Sequence, residues 1–137
     1  MVTIATELPT PEELLDLYGA VGWTAYTRDP DVLVAAITGS HAVITARDAG
    51  RLVGLARTVS DGATIVYVQD VLVHPEHQRT GVGRALLDEV LRRYERVRQT
   101  VLLTDAEPGQ RAFYESLGFV EAHDVSPGTL RSFVLLR

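Results

Sequence analysis

Cysteine is absent from all 137 residues, which excludes disulfide frameworks, zinc thiolate sites and cysteine nucleophiles. Lysine is absent as well. All 13 basic side chains are arginine, so neither a Schiff-base lysine nor the lysine of a Walker A loop is available. No apolar run approaches the roughly 20 residues of a membrane span, and the N-terminus has no signal-peptide core. Positive charge is in deficit: 18 acids against 13 arginines leave a formal charge of −5, which argues against a nucleic-acid binder. The expectation is a soluble, cytoplasmic chain folded as one domain over residues 1–137, inside the usual range of roughly 100–200 residues. A chain of that size buries most of its apolar surface without metal or disulfide support.

The distribution of charge says more than its total. Residues 1–31 hold six acids and one arginine, and residues 32–73 balance at three of each. Residues 74–98 hold six arginines against four acids and are the one locally basic stretch. A small anionic ligand there, with something neutral or cationic near the N-terminal part, fits this asymmetry; solvated surface charge fits it equally.

Local signals divide the chain. Val2 to Thr6 reads as a short strand. Thr10, Pro11 and Glu13 announce a helix through a capping box with proline in its first turn, and Gly22 stops it. A second helix runs from about Asp31 to Ile37. Three strands follow at His41–Ala46, Arg51–Val59 and Ile65–His74, joined by Asp-Ala-Gly and Asp-Gly turns that favour antiparallel hairpins. After a polar loop from Pro75 to Thr80, a long helix opens at Gly81-Val82-Gly83, its buried stripe marked by Leu86, Leu87, Val90, Leu91, Tyr94 and Val97. A strand at Thr100–Thr104 lies parallel to Ile65–His74, because a helix of crossover length separates the two. A helix from Pro108 to Leu117 and strands at Phe119–Ala122 and Leu130–Leu136 complete the chain. The order β-α-α-β-β-β-α-β-α-β-β predicts an α/β (α+β) domain: a mixed sheet flanked by about four helices.

The informative segment is Val71-Leu72-Val73-His74-Pro75-Glu76-His77-Gln78-Arg79-Thr80-Gly81-Val82-Gly83-Arg84. A strand runs into a glycine turn that opens a helix, so backbone N–H groups and the helix dipole converge on a concave anion site. A dinucleotide fingerprint would need a third glycine at position 86, which is leucine. Val73, Pro75, Gln78-Arg79 and Gly81-x-Gly83 after a strand resemble the pyrophosphate-binding motif of the GCN5-related N-acetyltransferase (GNAT) superfamily. Residues 107–119, with Tyr114 before Gly118-Phe119, resemble that family's following helix.

The resemblance implies a splayed GNAT-type sheet and an acyltransferase that takes acetyl-CoA as co-substrate and an amine as acceptor. By position, Arg79, Thr80, Gly81, Val82, Gly83 and Arg84, with Gln78 beside them, would hold the pyrophosphate. Val71, Leu72 and Val73 would pair with the pantetheine arm once the two parallel strands part, often through a bulge. Tyr114 would protonate the departing thiolate; an ordinary core tyrosine is the alternative. Asp70, a carboxylate in an apolar strand, is the first candidate for general base, or else a charge satisfied by an arginine. Tyr67 and Gln69, on the opposite parity from Asp70, would line the acceptor pocket, as would Trp23 and Tyr26 from the aromatic connection after the first helix. The family's pantetheine-binding asparagine has no counterpart in Thr104-Asp105-Ala106-Glu107. No metal, nucleic acid or membrane is implied, and a homodimer is left open. A small-molecule amine is the favoured acceptor; a protein or peptide amine, and a non-catalytic acyl-CoA sensor, remain alternatives.

Overall fold

Thr10 caps the first helix as expected in the computed structural model, which describes residues 1–137. Its hydroxyl accepts from the Glu13 N–H at 3.2 Å while the Glu13 carboxylate accepts from the Thr10 N–H at 3.0 Å. That helix, α1, spans Pro11–Ala20 and ends where Gly22 takes φ +79°. The aromatic connection then forms a four-residue helix, α2 (Thr24–Thr27), in place of the expected open loop. Asp29 caps α3 (Pro30–Thr38) by accepting from the Val32 N–H at 3.3 Å, so this helix begins slightly before the expected Asp31.

The chain divides into two compact units, Met1–Leu102 and Leu103–Arg137. The first is built on a sheet ordered β1 (Val2–Thr6), β2 (Ala42–Asp48), β3 (Arg51–Ser60), β4 (Ile65–Val73) and β5 (Gln99–Leu102). The first four strands pair antiparallel in sequence order, and β5 joins β4 in parallel after the crossover helix α4 (Val82–Arg93). One face packs Leu14, Leu17, Tyr18, Leu33 and Ile37 of α1 and α3 against Val43, Leu52, Leu55 and Leu72. The other receives α4, whose Leu86, Leu87 and Val90 are fully buried; each contributes about 1.5–3 kcal/mol of transfer free energy. Just after α4 the Tyr94 hydroxyl lies 2.7 Å from both Thr58 Oγ1 and His41 Nδ1, tying the helix to β3 and to the residue before β2.

Two bulges decide which residues face which layer. Pairing steps from Arg57↔Asp70 to Thr58↔Val68, which leaves Gln69 as an extra residue on β4. Because side chains alternate with period two, one extra residue turns every later side chain to the other face. Val68 therefore shares a face with Thr58 and Tyr94, whereas Asp70 and Leu72 face α1–α3. Tyr67, paired with Val59, lies on that same face as Asp70. The bulge thus puts Tyr67 on the face of Asp70, where simple alternation placed the two on opposite faces.

In the second unit, Pro108 starts α5 (Pro108–Ser116), and Gly118 at φ +97° ends it, with the Phe119 N–H donating back to the Tyr114 carbonyl at 3.1 Å. The strands expected at Phe119–Ala122 and Leu130–Leu136 do not form. Ala122–Asp124 is a 3₁₀ turn, held by Arg111, which bonds Glu115, Glu121 and Asp124. Leu130 gives its N–H to the Ala122 carbonyl, but residues 130–137 join no ladder and Phe133 is 89% exposed. A short apolar run becomes a strand only where a neighbouring strand takes its hydrogen bonds.

Candidate functional site

The glycine turn has the geometry an anion requires. Gly81 is the N-cap of α4 at φ +88°, and nothing lies within 4 Å of where its Cβ would be. Arg79 adopts φ +62°, a left-handed conformation uncommon for a side-chain-bearing residue. The N–H groups of Arg79, Thr80, Gly81, Val82 and Gly83 are donated to no acceptor in the chain, so five donors gather at the positive end of a helix of 12 residues. The Thr80 hydroxyl is held by the His77 carbonyl, and His77 Nε2 reaches Asp48 Oδ2 at 2.9 Å, which braces the turn against β2. A cavity of about 400 Å³ borders the turn, lined by Met1, Val2, His77, Thr80, Gly81, Val82 and Ala85. Gln78 does not point its amide at an anion: Nε2 donates to the Val73 carbonyl at 3.2 Å and clamps the loop to the end of β4.

The strand leading into the turn offers a free edge. The β4–β5 ladder ends at Val68↔Leu102, so β4 continues past its parallel partner from the bulged Gln69 to Val73. The His74 N–H donates to the Val53 carbonyl at 2.7 Å. By the alternation of a strand, Leu72 also turns its backbone groups toward β3, while Val71 and Val73 turn theirs to the side that β5 has vacated. Of the three residues expected to pair with an extended ligand, Val71 therefore presents open backbone groups and Val73 an open N–H, its carbonyl being held by Gln78; Leu72 instead packs its side chain in the core.

Beside the bulge lies a cluster of four tyrosine and acid–base side chains. Asp70, only 3% exposed, accepts from Arg57 Nε at 2.5 Å and the Tyr18 hydroxyl at 2.9 Å on Oδ2, and from the Tyr26 hydroxyl at 3.0 Å on Oδ1. Tyr18 and Tyr26 meet at a ring-centroid distance of 5.2 Å, and Trp23 lies against both at 5.8 and 6.1 Å. Burial, then the Asp70 carboxylate, pushes the Tyr18 phenol far above its ordinary range. Tyr67 lies on the same face of β4 as Asp70, and burial, then Asp70 and Tyr26, raises its phenol above the ordinary range. Gln69 is exposed, and its Nε2 lies 3.4 Å from the Tyr26 hydroxyl.

The fold thus brings together Trp23, Tyr26, Tyr67, Gln69 and Asp70, and adds Tyr18 and Arg57. Arg57 was missed because an unbulged hairpin across residues 60–66 would place it opposite Gln69. Its signal was an isolated arginine in an otherwise apolar strand, matched by an isolated aspartate in the next. With a guanidinium and two phenols on its carboxylate, Asp70 has no open approach for an amine proton. The geometry argues for a positioning role over direct proton abstraction.

In the second unit, Tyr114 packs edge-on to Phe113 and Phe119 at 5.1 and 5.8 Å. Burial, then the nearby Asp105, raises its pKa, so the phenol keeps its proton at neutral pH. Asp105 accepts from the Glu107 N–H at 3.1 Å and does not cap α5. No group of three or more His, Asp or Glu side chains is placed to hold a metal, and no helix is long and apolar enough to cross a membrane.

A glycine turn with undonated amides follows a strand that runs on past its parallel partner, an arrangement able to receive an anion joined to an extended chain. Residues 12–128 match the family model of the acetyltransferase (GNAT) domain, and the chain belongs to that family. It is 30% identical over 116 residues to the uncharacterised N-acetyltransferase ycf52 of Pyropia yezoensis, an alignment covering 82% of this chain and 66% of that protein. The chain therefore spans just under two thirds of that relative's length. A GNAT-family acetyltransferase structure from Streptococcus pneumoniae superposes with a TM-score of 0.82 at 33% identity over the whole of both chains. The fold is shared at 19% identity and a TM-score of 0.73 with an aminoglycoside N-acetyltransferase solved in complex with CoA, over 100% of this chain and 95% of that one.

Proposed function

We propose that this chain transfers an acetyl group from acetyl-CoA to a primary amine, favouring a small molecule as acceptor. The observation that carries the reading is the continuity of two open backbone surfaces: the free edge of β4 after Gln69 and the undonated amides of residues 79–83. The residues fit the co-substrate. Arg79, Thr80, Gly81, Val82 and Gly83 offer N–H groups to a pyrophosphate, with Arg84 contributing charge, and Val71 and Val73 offer a strand edge to the amide-bearing pantetheine arm.

The amine nitrogen attacks the thioester carbonyl carbon, and a backbone N–H at the vacated edge stabilises the oxyanion; one such donor is worth about 3–4 kcal/mol of barrier. The C–S bond then breaks, the thiolate takes the Tyr114 phenolic proton, and the nitrogen loses its extra proton to water. Water returns a proton to Tyr114. Trp23, Tyr26, Tyr67 and Gln69 line the acceptor side, with Asp70 holding Tyr26.

The test is thiol release from acetyl-CoA against a panel of small amines and peptides, which the absence of cysteine keeps free of background. Turnover with small amines, slowed about 10²–10⁴-fold in Tyr114→Phe, is expected. Turnover with peptides alone makes the acceptor a protein amine. Binding of acetyl-CoA without turnover of any amine makes the chain a sensor and overturns the proposal.

A further inference from the structure

Hydrogen-bond polarity at the acceptor side is set from beneath. A phenol has one proton to give, and Tyr26 gives its proton inward to Asp70 Oδ1 at 3.0 Å. Asp70 cannot rotate away, because Oδ2 is held by Arg57 at 2.5 Å and Tyr18 at 2.9 Å in a site where the carboxylate is 3% exposed. The outer side of the Tyr26 oxygen is therefore limited to accepting. From the outside its neighbour is Gln69 Nε2 at 3.4 Å, a contact at the long limit of hydrogen bonding that a closer donor displaces. Gln69 is both exposed and the bulged residue, one position beyond the last β4–β5 pair. The outward-facing lone pair of Tyr26 thus lies beside the mouth of the sheet opening.

We infer that the buried Arg57–Asp70 pair is a positioning device that fixes the Tyr26 hydroxyl as a hydrogen-bond acceptor for one N–H of the incoming amine. The inference rests on the acetyl-transfer reading and deepens it. An amine that donates one N–H to Tyr26 has its nitrogen lone pair turned away from that oxygen, the orientation an attack on a thioester needs. Groups without a donor hydrogen, such as carboxylates and carbonyls, meet only a lone pair there and are rejected. Arg57 and Tyr18 act through Asp70, and Asp70 acts through Tyr26.

The test uses the full chain, acetyl-CoA, and n-hexylamine, spermidine and an alanyl dipeptide as probe amines. Tyr26→Phe removes the accepting oxygen, and KM for the amine rises about tenfold or more while KM for acetyl-CoA stays within about twofold. Asp70→Asn keeps the shape but reverses the polarity. Its carbonyl stays with Arg57 and its amide nitrogen now donates to Tyr26, which turns the phenolic proton outward. The loss again falls on KM for the amine more than on kcat, and the pH profile of kcat keeps its form. Because both changes act on one contact, Tyr26→Phe combined with Asp70→Asn costs no more than either alone.

Unchanged amine KM in Tyr26→Phe overturns the inference. So does a fall in kcat of about 100-fold or more in Asp70→Asn with loss of the alkaline rise in its pH profile, which would make Asp70 the base. A wild-type chain that gains thermal stability with acetyl-CoA but releases no thiol with any probe overturns the transfer reading, and the inference with it. If Asp70→Asn is not folded by circular dichroism, Tyr26→Phe decides alone, since it leaves the buried pair in place.

Discussion

Gly54 lies on β3 beneath the first turn of α4, and a methyl group there has no room. A Cβ at this position would sit 2.9 Å from Val82 Cγ1, 3.1 Å from Leu86 Cδ1 and 3.3 Å from Ala46 Cβ. The Leu86 methyl ends a flexible side chain and can move. Val82 is β-branched and helical, with essentially one χ1 rotamer, so its methyl cannot swing aside without moving the helix. Gly54→Ala therefore shifts the start of α4, with an overpacking cost of about 1–3 kcal/mol. Loss of glycine's freedom in the unfolded chain returns about 0.4–1 kcal/mol. The net expectation is about 1–2 kcal/mol of destabilisation, or a fall in Tm of roughly 5 °C for a chain of this size. Val82 directly follows Gly81, so the same shift disturbs the amides of residues 79–83 and, on the proposed function, weakens acetyl-CoA binding. Thermal denaturation with and without acetyl-CoA measures both effects. A Gly54→Ala chain as stable as the wild type, with an undiminished acetyl-CoA shift, would refute the argument that this glycine sets the height of α4 over the sheet.

Three further expectations concern stability. Arg57→Ala leaves the Asp70 carboxylate buried without its cation and lowers unfolding free energy by about 3–5 kcal/mol in urea denaturation; a loss below 1 kcal/mol would show the pair to be dispensable. Tyr94→Phe removes the hydroxyl that lies 2.7 Å from both Thr58 and His41, and a cost of about 1–2 kcal/mol by the same measurement is expected. Glu13 has its pKa lowered to about 2 by the Arg47 guanidinium first and the Thr10 backbone N–H second. Its folded value lies below its unfolded one, so the stability it supplies is complete above the ordinary carboxylate range and is lost as pH falls toward about 2. The melting temperature of Arg47→Ala should approach that of the wild type across this acid range; a gap that stays constant there would remove Glu13 from the account.

Much of this protein is decided over distances of a few residues. The capping box at Thr10 and Glu13, the glycine turn before α4, the crossover that makes β4 and β5 parallel, and Gly118 closing α5 all depend on local backbone chemistry, which adjacent residues carry in full. Tyr114 and the turn from Arg79 to Arg84 could be singled out for the same reason: their motifs are contiguous. The cluster around Asp70 was legible only in its members. Trp23, Tyr26, Tyr67, Gln69 and Asp70 could be picked out as types, but not their arrangement, because one bulged residue reverses the faces of a strand and leaves no mark in its composition. Tertiary structure alone brought Arg57 to Asp70, aimed Gln69 at Tyr26, turned Gln78 back onto Val73 and gave Gly54 its role under Val82. It also withheld a ladder from residues 130–136, whose apolar residues had suggested a strand. Helix caps and turns answer to their neighbours in the chain, whereas strand faces, buried ion pairs and close helix–sheet approaches answer to groups dozens of residues away, whose positions exist only once the sheet has closed.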